Sequence, residues 1–179
     1  KKDNIRANIE EILANALEAN IIVNAVFAES DAQRKKLWKI REELPTAQSR
    51  EGASIKHDVS VPVSDTVNFI IEASERLLKV FPSIRPCPFG HIGDGNIHYN
   101  LTQPIGMAKE DFMARSTEIN RIVHDLVTEM RGSISAEHGI GSFKREELEH
   151  YASPSKMLLI RTIKHAIDPQ NIMNPGKII

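Results

Sequence analysis

An Asp-Gly dipeptide between alternating polar and apolar residues is among the strongest local signals for a β-hairpin. Asp94-Gly95 stands at the centre of such a stretch, Phe89-Gly90-His91-Ile92-Gly93-Asp94-Gly95-Asn96-Ile97-His98-Tyr99-Asn100. With these two residues as a type I′ tip, both at positive φ, Gly93 faces Asn96, Ile92 faces Ile97, His91 faces His98 and Phe89 faces Asn100. Side chains alternate along a strand, so Ile92, Ile97, Tyr99 and Leu101 share a face that demands burial, and His91, Asn96, His98 and Asn100 share the other. Directly opposed residues hold their Cβ atoms about 4.5–5.5 Å apart. Two imidazoles at that separation can share one metal ion through Zn–N bonds of roughly 2.0–2.1 Å. A half-exposed cross-strand pair that merely hydrogen-bonds satisfies the same spacing.

The chain of 179 residues is the size of one domain, or of one domain with a helical extension. Its 23 basic and 24 acidic residues leave a net charge of −1, which supplies neither a field for nucleic acid nor a polybasic membrane patch. No apolar run approaches the length of a transmembrane helix. Cys87 is the single cysteine, so neither an internal disulfide nor a thiolate metal cluster can form, and a reducing compartment fits. The sequence begins with Lys1-Lys2-Asp3 inside a helical pattern, without initiator methionine or signal peptide; a fragment of a longer protein is expected.

Apolar residues at Ile5, Ile9, Ile12, Leu13, Ala16 and Leu17 predict a helix, and the run over 21–28 predicts a strand after it. Ser30 and Asp31 cap a second helix that Pro45 ends or breaks. Residues 54–61 alternate as a strand and stop at Pro62. Ser64 or Asp65 then caps a third helix whose buried stripe is Val67, Ile70, Ile71, Ala73, Leu77, Leu78 and Val80. After the hairpin, residues 107–130 read as one long amphipathic helix, 132–141 as a short strand with a glycine-bounded loop, and 144–166 as helix broken around Pro154. The expected fold class is α+β: a mainly antiparallel sheet with helices packed on one face in the ferredoxin-like manner, plus a helical C-terminal extension.

Polar chemistry returns at Glu137-His138, where Gly139 and Gly141 free the backbone for close approach. Adjacent side chains of an extended segment point to opposite sides. Glu137 can therefore turn inward as a third metal ligand while His138 faces a neighbouring space. Two imidazoles and one carboxylate leave coordination open, as in catalytic zinc sites. A helix-start acid beside a surface histidine is the alternative.

Three stretches, Gly90 to Asn100, Ser135-Ala136-Glu137-His138-Gly139-Ile140-Gly141, and Asp168-Pro169-Gln170-Asn171-Ile172-Met173-Asn174-Pro175-Gly176-Lys177, together resemble a known family. They are similar to the carboxy-terminal region of FAD-linked D-2-hydroxyacid dehydrogenases and oxidases, the vanillyl-alcohol-oxidase-like flavoenzymes. Residues 37–43 and 52–62 extend the resemblance towards the D-2-hydroxyglutarate and D-lactate dehydrogenase branches. It implies that residues 1–179 are a substrate- and metal-binding C-terminal domain whose N-terminal FAD-binding domain is absent. The isolated chain is then expected to be inactive.

Carried over residue by residue, the resemblance gives His91, His98 and Glu137 as ligands of a divalent metal, zinc by family habit, and His138 as the catalytic histidine. Arg41, Lys56 and Asn100 become contacts to a 2-hydroxyacid substrate. Where the hydroxyglutarate branch places a hydroxyl residue four positions after the arginine, this chain has Pro45, with Thr46 beside it. The implied cofactors are FAD, held mainly by the missing domain, and the metal. The implied location is cytoplasmic, or mitochondrial in a eukaryote; a homodimer is compatible, and no electron acceptor is named. The residues alone leave two rivals open: a metal-dependent hydrolase using the same ligands to activate water, and a structural metal-binding or dimerisation module.

Overall fold

The computed structural model describes residues 4–179 and divides into two compact units, one through Ala47 and one from Gln48 to Ile179. In the first, α1 (Ile5–Glu18) begins at Asn4, whose side chain accepts the Ala7 N–H. It ends at Asn20, at φ 55°, with Ile21 N–H bonded to the Ala16 carbonyl and Asn20 N–H to that of Leu17. That is the glycine-type helix stop with asparagine in the left-handed position. The strand expected over 21–28 does not form: the segment has no ladder partner among the described residues. Ser30 Oγ accepts the Gln33 N–H and Gln33 Oε1 accepts that of Glu29, a reciprocal cap that starts α2 (Asp31–Arg50). Pro45 lies inside α2 rather than ending it, which costs one backbone hydrogen bond but not the helix.

The second unit is built on a three-stranded antiparallel sheet in the order β1 (Ser54–Ser60), β3 (Asn96–Thr102), β2 (Arg85–His91). The α+β class expected from the sequence is the one observed. Ile55, His57 and Val59 of β1 pair with Leu101, Tyr99 and Ile97, and all six are at most 5% exposed. Two helices pack against this face, α3 (Thr66–Val80) and α5 (Ser116–Glu129). α3 contributes Phe69, Ala73 and Leu77, and α5 contributes Ile119, Val123, Leu126 and Val127. The α3 stripe thus differs from the expected one: Val67, Ile71, Leu78 and Val80 are 40–57% exposed. A 3₁₀ turn at Val63–Asp65 leads into α3, and no side chain caps it.

The long helix expected over 107–130 is two, α4 (Lys109–Ala114) and α5, parted at Arg115. The break carries no proline or glycine; the Arg115 guanidinium lies 4.2 Å from the centre of the Phe81 ring. The strand expected after Gly132 reduces to one bridge, Ser133 to Ser60. α6 (Arg145–Tyr151) and α7 (Pro154–Ile167) follow, the latter capped by Ser153 Oγ with Pro154 in its first turn, where proline's missing N–H costs nothing. No helix among the described residues is long and apolar enough to cross a membrane.

Candidate metal and substrate site

The sheet face away from α3 and α5 carries the polar residues. Because β1 and β3 pair in register, Lys56 stands opposite Asn100 and Asp58 opposite His98. From β2, Cys87 stands opposite Asn100, Phe89 opposite His98 and His91 opposite Asn96. The hairpin is therefore real, but its register is two residues from the expected one. Residues 92–95 form a four-residue loop rather than a two-residue tip. Gly95 takes positive φ, at 75°, and Asp94 does not; Asp94 Oδ1 instead accepts the Asn96 N–H at 3.1 Å, an Asx turn. Ile92 falls in the loop at 70% exposure, whereas Ile97, Tyr99 and Leu101 are buried as expected.

A shift of two preserves side-chain parity, so His91 and His98 still share a face. They are diagonal neighbours instead of opposed ones, which sets the two residues about 7–8 Å apart with their Cβ atoms somewhat closer. His91 is half exposed, with Nδ1 3.6 Å from Asp94 Oδ2.

The loop after Ser133 brings the remaining groups. Ser133 and Ser60 exchange both backbone hydrogen bonds, at 2.8 and 3.0 Å, and Ala136 N–H donates to the Asp58 carbonyl. The loop so covers the outer edge of β1. Gly132 makes this approach possible, since a Cβ there would lie 2.1 Å from the Ser60 carbonyl oxygen. Glu137 N–H and His138 N–H both donate to Asp58 Oδ2, at 3.0 and 2.8 Å. Burial pushes the Asp58 carboxyl up, but those two N–H groups outweigh it, with His138 and Lys144 adding, and hold it below its ordinary value.

Donor atoms of Asp58, His98, Glu137 and His138 lie within 4.8 Å of one another. His98 Nε2 is 3.1 Å from Glu137 Oε1. Its ring lies between Phe89, 5.1 Å away centre to centre, and His138, 5.6 Å away. His98 is 15% exposed and His138 64%. Two metal–ligand bonds of about 2.1 Å at a tetrahedral angle place their ends roughly 3.4 Å apart, so the His98–Glu137 separation and the nitrogen-plus-oxygen donor set fit a divalent cation. Lys56 projects into solvent from the same face with no ion-pair partner among the described residues. Asn100 is buried, its amide donating to Gln48 Oε1 at 2.8 Å while Gln48 Nε2 donates to Thr102 Oγ1 at 3.0 Å. Of the residues predicted from sequence, the structure gathers His98, Glu137 and His138 and sets Lys56 and Asn100 on the same face. Arg41 lies on α2 in the first unit.

A family model described as FAD linked oxidases, C-terminal domain, matches residues 1–178. The chain belongs to that family. D-2-hydroxyglutarate dehydrogenase of Stutzerimonas stutzeri strain A1501 is 37% identical over 164 residues, 92% of this chain and 35% of that protein. The mitochondrial D-2-hydroxyglutarate dehydrogenase of Arabidopsis thaliana is 34% identical over 176 residues, 98% of this chain and 30% of that protein. A D-2-hydroxyglutarate–pyruvate transhydrogenase of Saccharomyces cerevisiae is 31% identical over 175 residues, 93% of this chain and 34% of that protein. The chain spans about a third of the length of these relatives.

Sequence reasoning missed Asp58 and Gln48. Asp58 was within reach, because the alternation that exposes Lys56 puts Asp58 on the same side of β1. What was lacking was the pairing of β1 with β3, which sets it against His98. Gln48, 5% exposed at the end of α2, gave no signal at all.

Proposed function

We propose that this chain is the substrate- and metal-binding part of an FAD-dependent dehydrogenase that oxidises a D-2-hydroxyacid, such as 2-hydroxyglutarate or lactate, to the 2-oxoacid. The meeting of His98 Nε2 with Glu137 Oε1 beside the exposed ring of His138 carries the reading. His98 and Glu137 would hold a divalent metal, zinc by its donor chemistry, with half-exposed His91 turning in from its diagonal position as third ligand. A cation so held would supply Lewis acidity. FAD would supply the two-electron oxidant.

The chain's own groups supply the rest. His138 takes the hydroxyl proton on its imidazole, a role suited to a group whose ordinary pKa of about 6.5 is near working pH. Lys56 holds carboxylate charge on the open face, and Asn100, tied down by Gln48, lines the same face as a fixed amide. Arg41 enters as a second carboxylate contact through its place in the family motif alone.

Zinc titration into the chain and turnover of the full-length enzyme on a panel of D-2-hydroxyacids test this together. His98→Ala and Glu137→Gln should abolish zinc binding and, in consequence, activity. His138→Ala should leave metal content nearly unchanged and lower kcat by about 10²–10⁴-fold, the range of a lost general base. Loss of metal from His138→Ala as complete as from His98→Ala, or no turnover of any acid by the full-length enzyme, would overturn the assignment.

A further inference from the structure

We propose that Asp58 is the positioning residue of this site: one buried carboxylate that orients both imidazoles, presenting the Nε2 of His98 and of His138 to the side where Glu137 lies. The inference rests on the reading above only for what His98 then holds.

Asp58 is 4% exposed and stands directly across the ladder from His98. Its two oxygens have separate work. Oδ2 accepts the backbone N–H groups of Glu137 and His138, so the carboxylate anchors the segment that carries two of the site's side chains. Oδ1 is buried and has no hydrogen-bond partner among the described residues. A buried charged oxygen left unpaired is costly, and the group facing it is His98 Nδ1, 4.0 Å away. His138 Nδ1 lies 3.5 Å from Oδ2. Both gaps exceed the roughly 2.7–3.2 Å of a formed hydrogen bond, so what the structure establishes is direction. Both Nδ1 atoms turn towards Asp58, and both Nε2 atoms towards Glu137 Oε1, at 3.1 and 4.0 Å.

That arrangement also decides between a ligand role and a supporting one. A cation between His98 Nε2 and Glu137 would have the His98 ring between itself and Asp58 Oδ1. Asp58 is thus placed behind the ring, as the outer carboxylate of a carboxylate–histidine–metal chain. A carboxylate can only accept, so Glu137 Oε1, 3.1 Å from Nε2, and Asp58 Oδ1, 4.0 Å from Nδ1, compete for the one proton of a neutral His98 ring; a cation between Nε2 and Glu137, or loss of the Glu137 carboxylate, leaves that proton to Nδ1 and Asp58. For His98 the Nε2 lone pair so freed is the one a metal needs; for His138, whose Nδ1 is nearer to Asp58 Oδ2 at 3.5 Å than its Nε2 is to Glu137 at 4.0 Å, it is the one a proton acceptor needs.

Asp58→Asn separates the two oxygens. The new amide oxygen must take the place of Oδ2, because two backbone N–H groups point at it, and the NH₂ then faces His98 Nδ1. A donor there demands a bare Nδ1, which moves the His98 proton to Nε2; His138 still faces oxygen and keeps its tautomer. The experiment is long-range ¹⁵N–¹H spectroscopy of the imidazoles, well above their ordinary pKa of about 6.5 so that the rings are neutral, joined to zinc titration of the same chain. Expected are Nδ1–H tautomers for both rings in a Glu137→Ala chain, where the competing carboxylate is gone and Asp58 remains. Adding Asp58→Asn to that chain should switch only His98, and Asp58→Asn alone should bind zinc about 10–100-fold more weakly.

An Nε2–H tautomer at His98 in the Glu137→Ala chain overturns the proposal without touching Asp58, which keeps it falsifiable should Asp58→Asn fail to fold. So do tautomers left unchanged by adding Asp58→Asn, with zinc affinity unchanged by Asp58→Asn alone. Nδ1–H tautomers that switch as described, with an unaltered chain that binds no zinc, would support the role of Asp58 while sinking the metal reading on its own.

Discussion

Lys56 takes its proposed role from its neighbours. An exposed lysine on a strand is ordinarily a solvated charge, but this one stands opposite a buried asparagine and two residues from a buried aspartate. A carboxylate bound on that face would find one flexible ammonium, above an Asn100 amide that is buried and held by Gln48. A charge-assisted hydrogen bond contributes about 1.5–3 kcal/mol. Lys56→Met in the full-length enzyme should therefore raise KM for D-2-hydroxyacids by roughly 10–100-fold, with a smaller change in kcat, since the contact is made in ground and transition states alike. Steady-state kinetics on the two enzymes decides it, and an unchanged KM would return Lys56 to the solvent.

At the scale of elements, the hairpin loop makes a sharp contrast between two glycines. A Cβ on Gly95 would lie 2.0 Å from the Val61 carbonyl oxygen, and the residue sits at φ 75°, whereas a Cβ on Gly93 meets nothing within 4 Å. Gly95→Ala should cost more than about 2 kcal/mol, because left-handed backbone and a backbone collision add. Gly93→Ala should stay within about 0.5 kcal/mol. Urea denaturation of both variants checks this, and equal losses would mean that the tip does not pack on Val61. The same loop marks what sequence could and could not convey. Strand parity was legible, because buried Ile97, Tyr99 and Leu101 alternate with His98 and Asn100 whatever the loop length. Register was not: Asp-Gly announces a turn, and both a two-residue tip and a four-residue loop satisfy it. The α3 stripe was blurred because apolar residues extend around the helix, and only packing against Tyr99 and α5 selects Phe69, Ala73 and Leu77. The site's closure through Asp58 depends on residues 79 and 80 positions apart, a separation no local pattern reports.

Across the folded second unit, the helix-covered side of the sheet holds two histidines away from the proposed chemistry. His57 donates from Nδ1 to the Tyr99 carbonyl, at 2.9 Å, and its Nε2 lies 2.9 Å from the Asn120 side-chain amide. Burial, with neighbouring His124 adding to it, brings its pKa down to about 4. His124 is also held below its ordinary value by burial, though its Nδ1 lies 2.7 Å from Glu147. Both rings are neutral in the fold at neutral pH, while in the unfolded chain they protonate near pH 6.5. Above that value neither state gains a proton and the two rings leave stability unchanged. Below it the unfolded chain binds protons that the folded one refuses, so stability falls as pH drops from about 6.5 towards 4. At about 1.4 kcal/mol per pH unit, His57 alone accounts for roughly 3 kcal/mol over that window, a large part of the 5–15 kcal/mol typical of a domain. The carboxylate of Asp58, held below its ordinary value, loses its contribution only at lower pH, so the two effects separate along the axis. Urea midpoints should hold between about pH 7.5 and 6.5 and then decline towards pH 4.5 with a constant m-value; a flat profile down to about pH 5 would show that water or a charge partner reaches His57 in the fold.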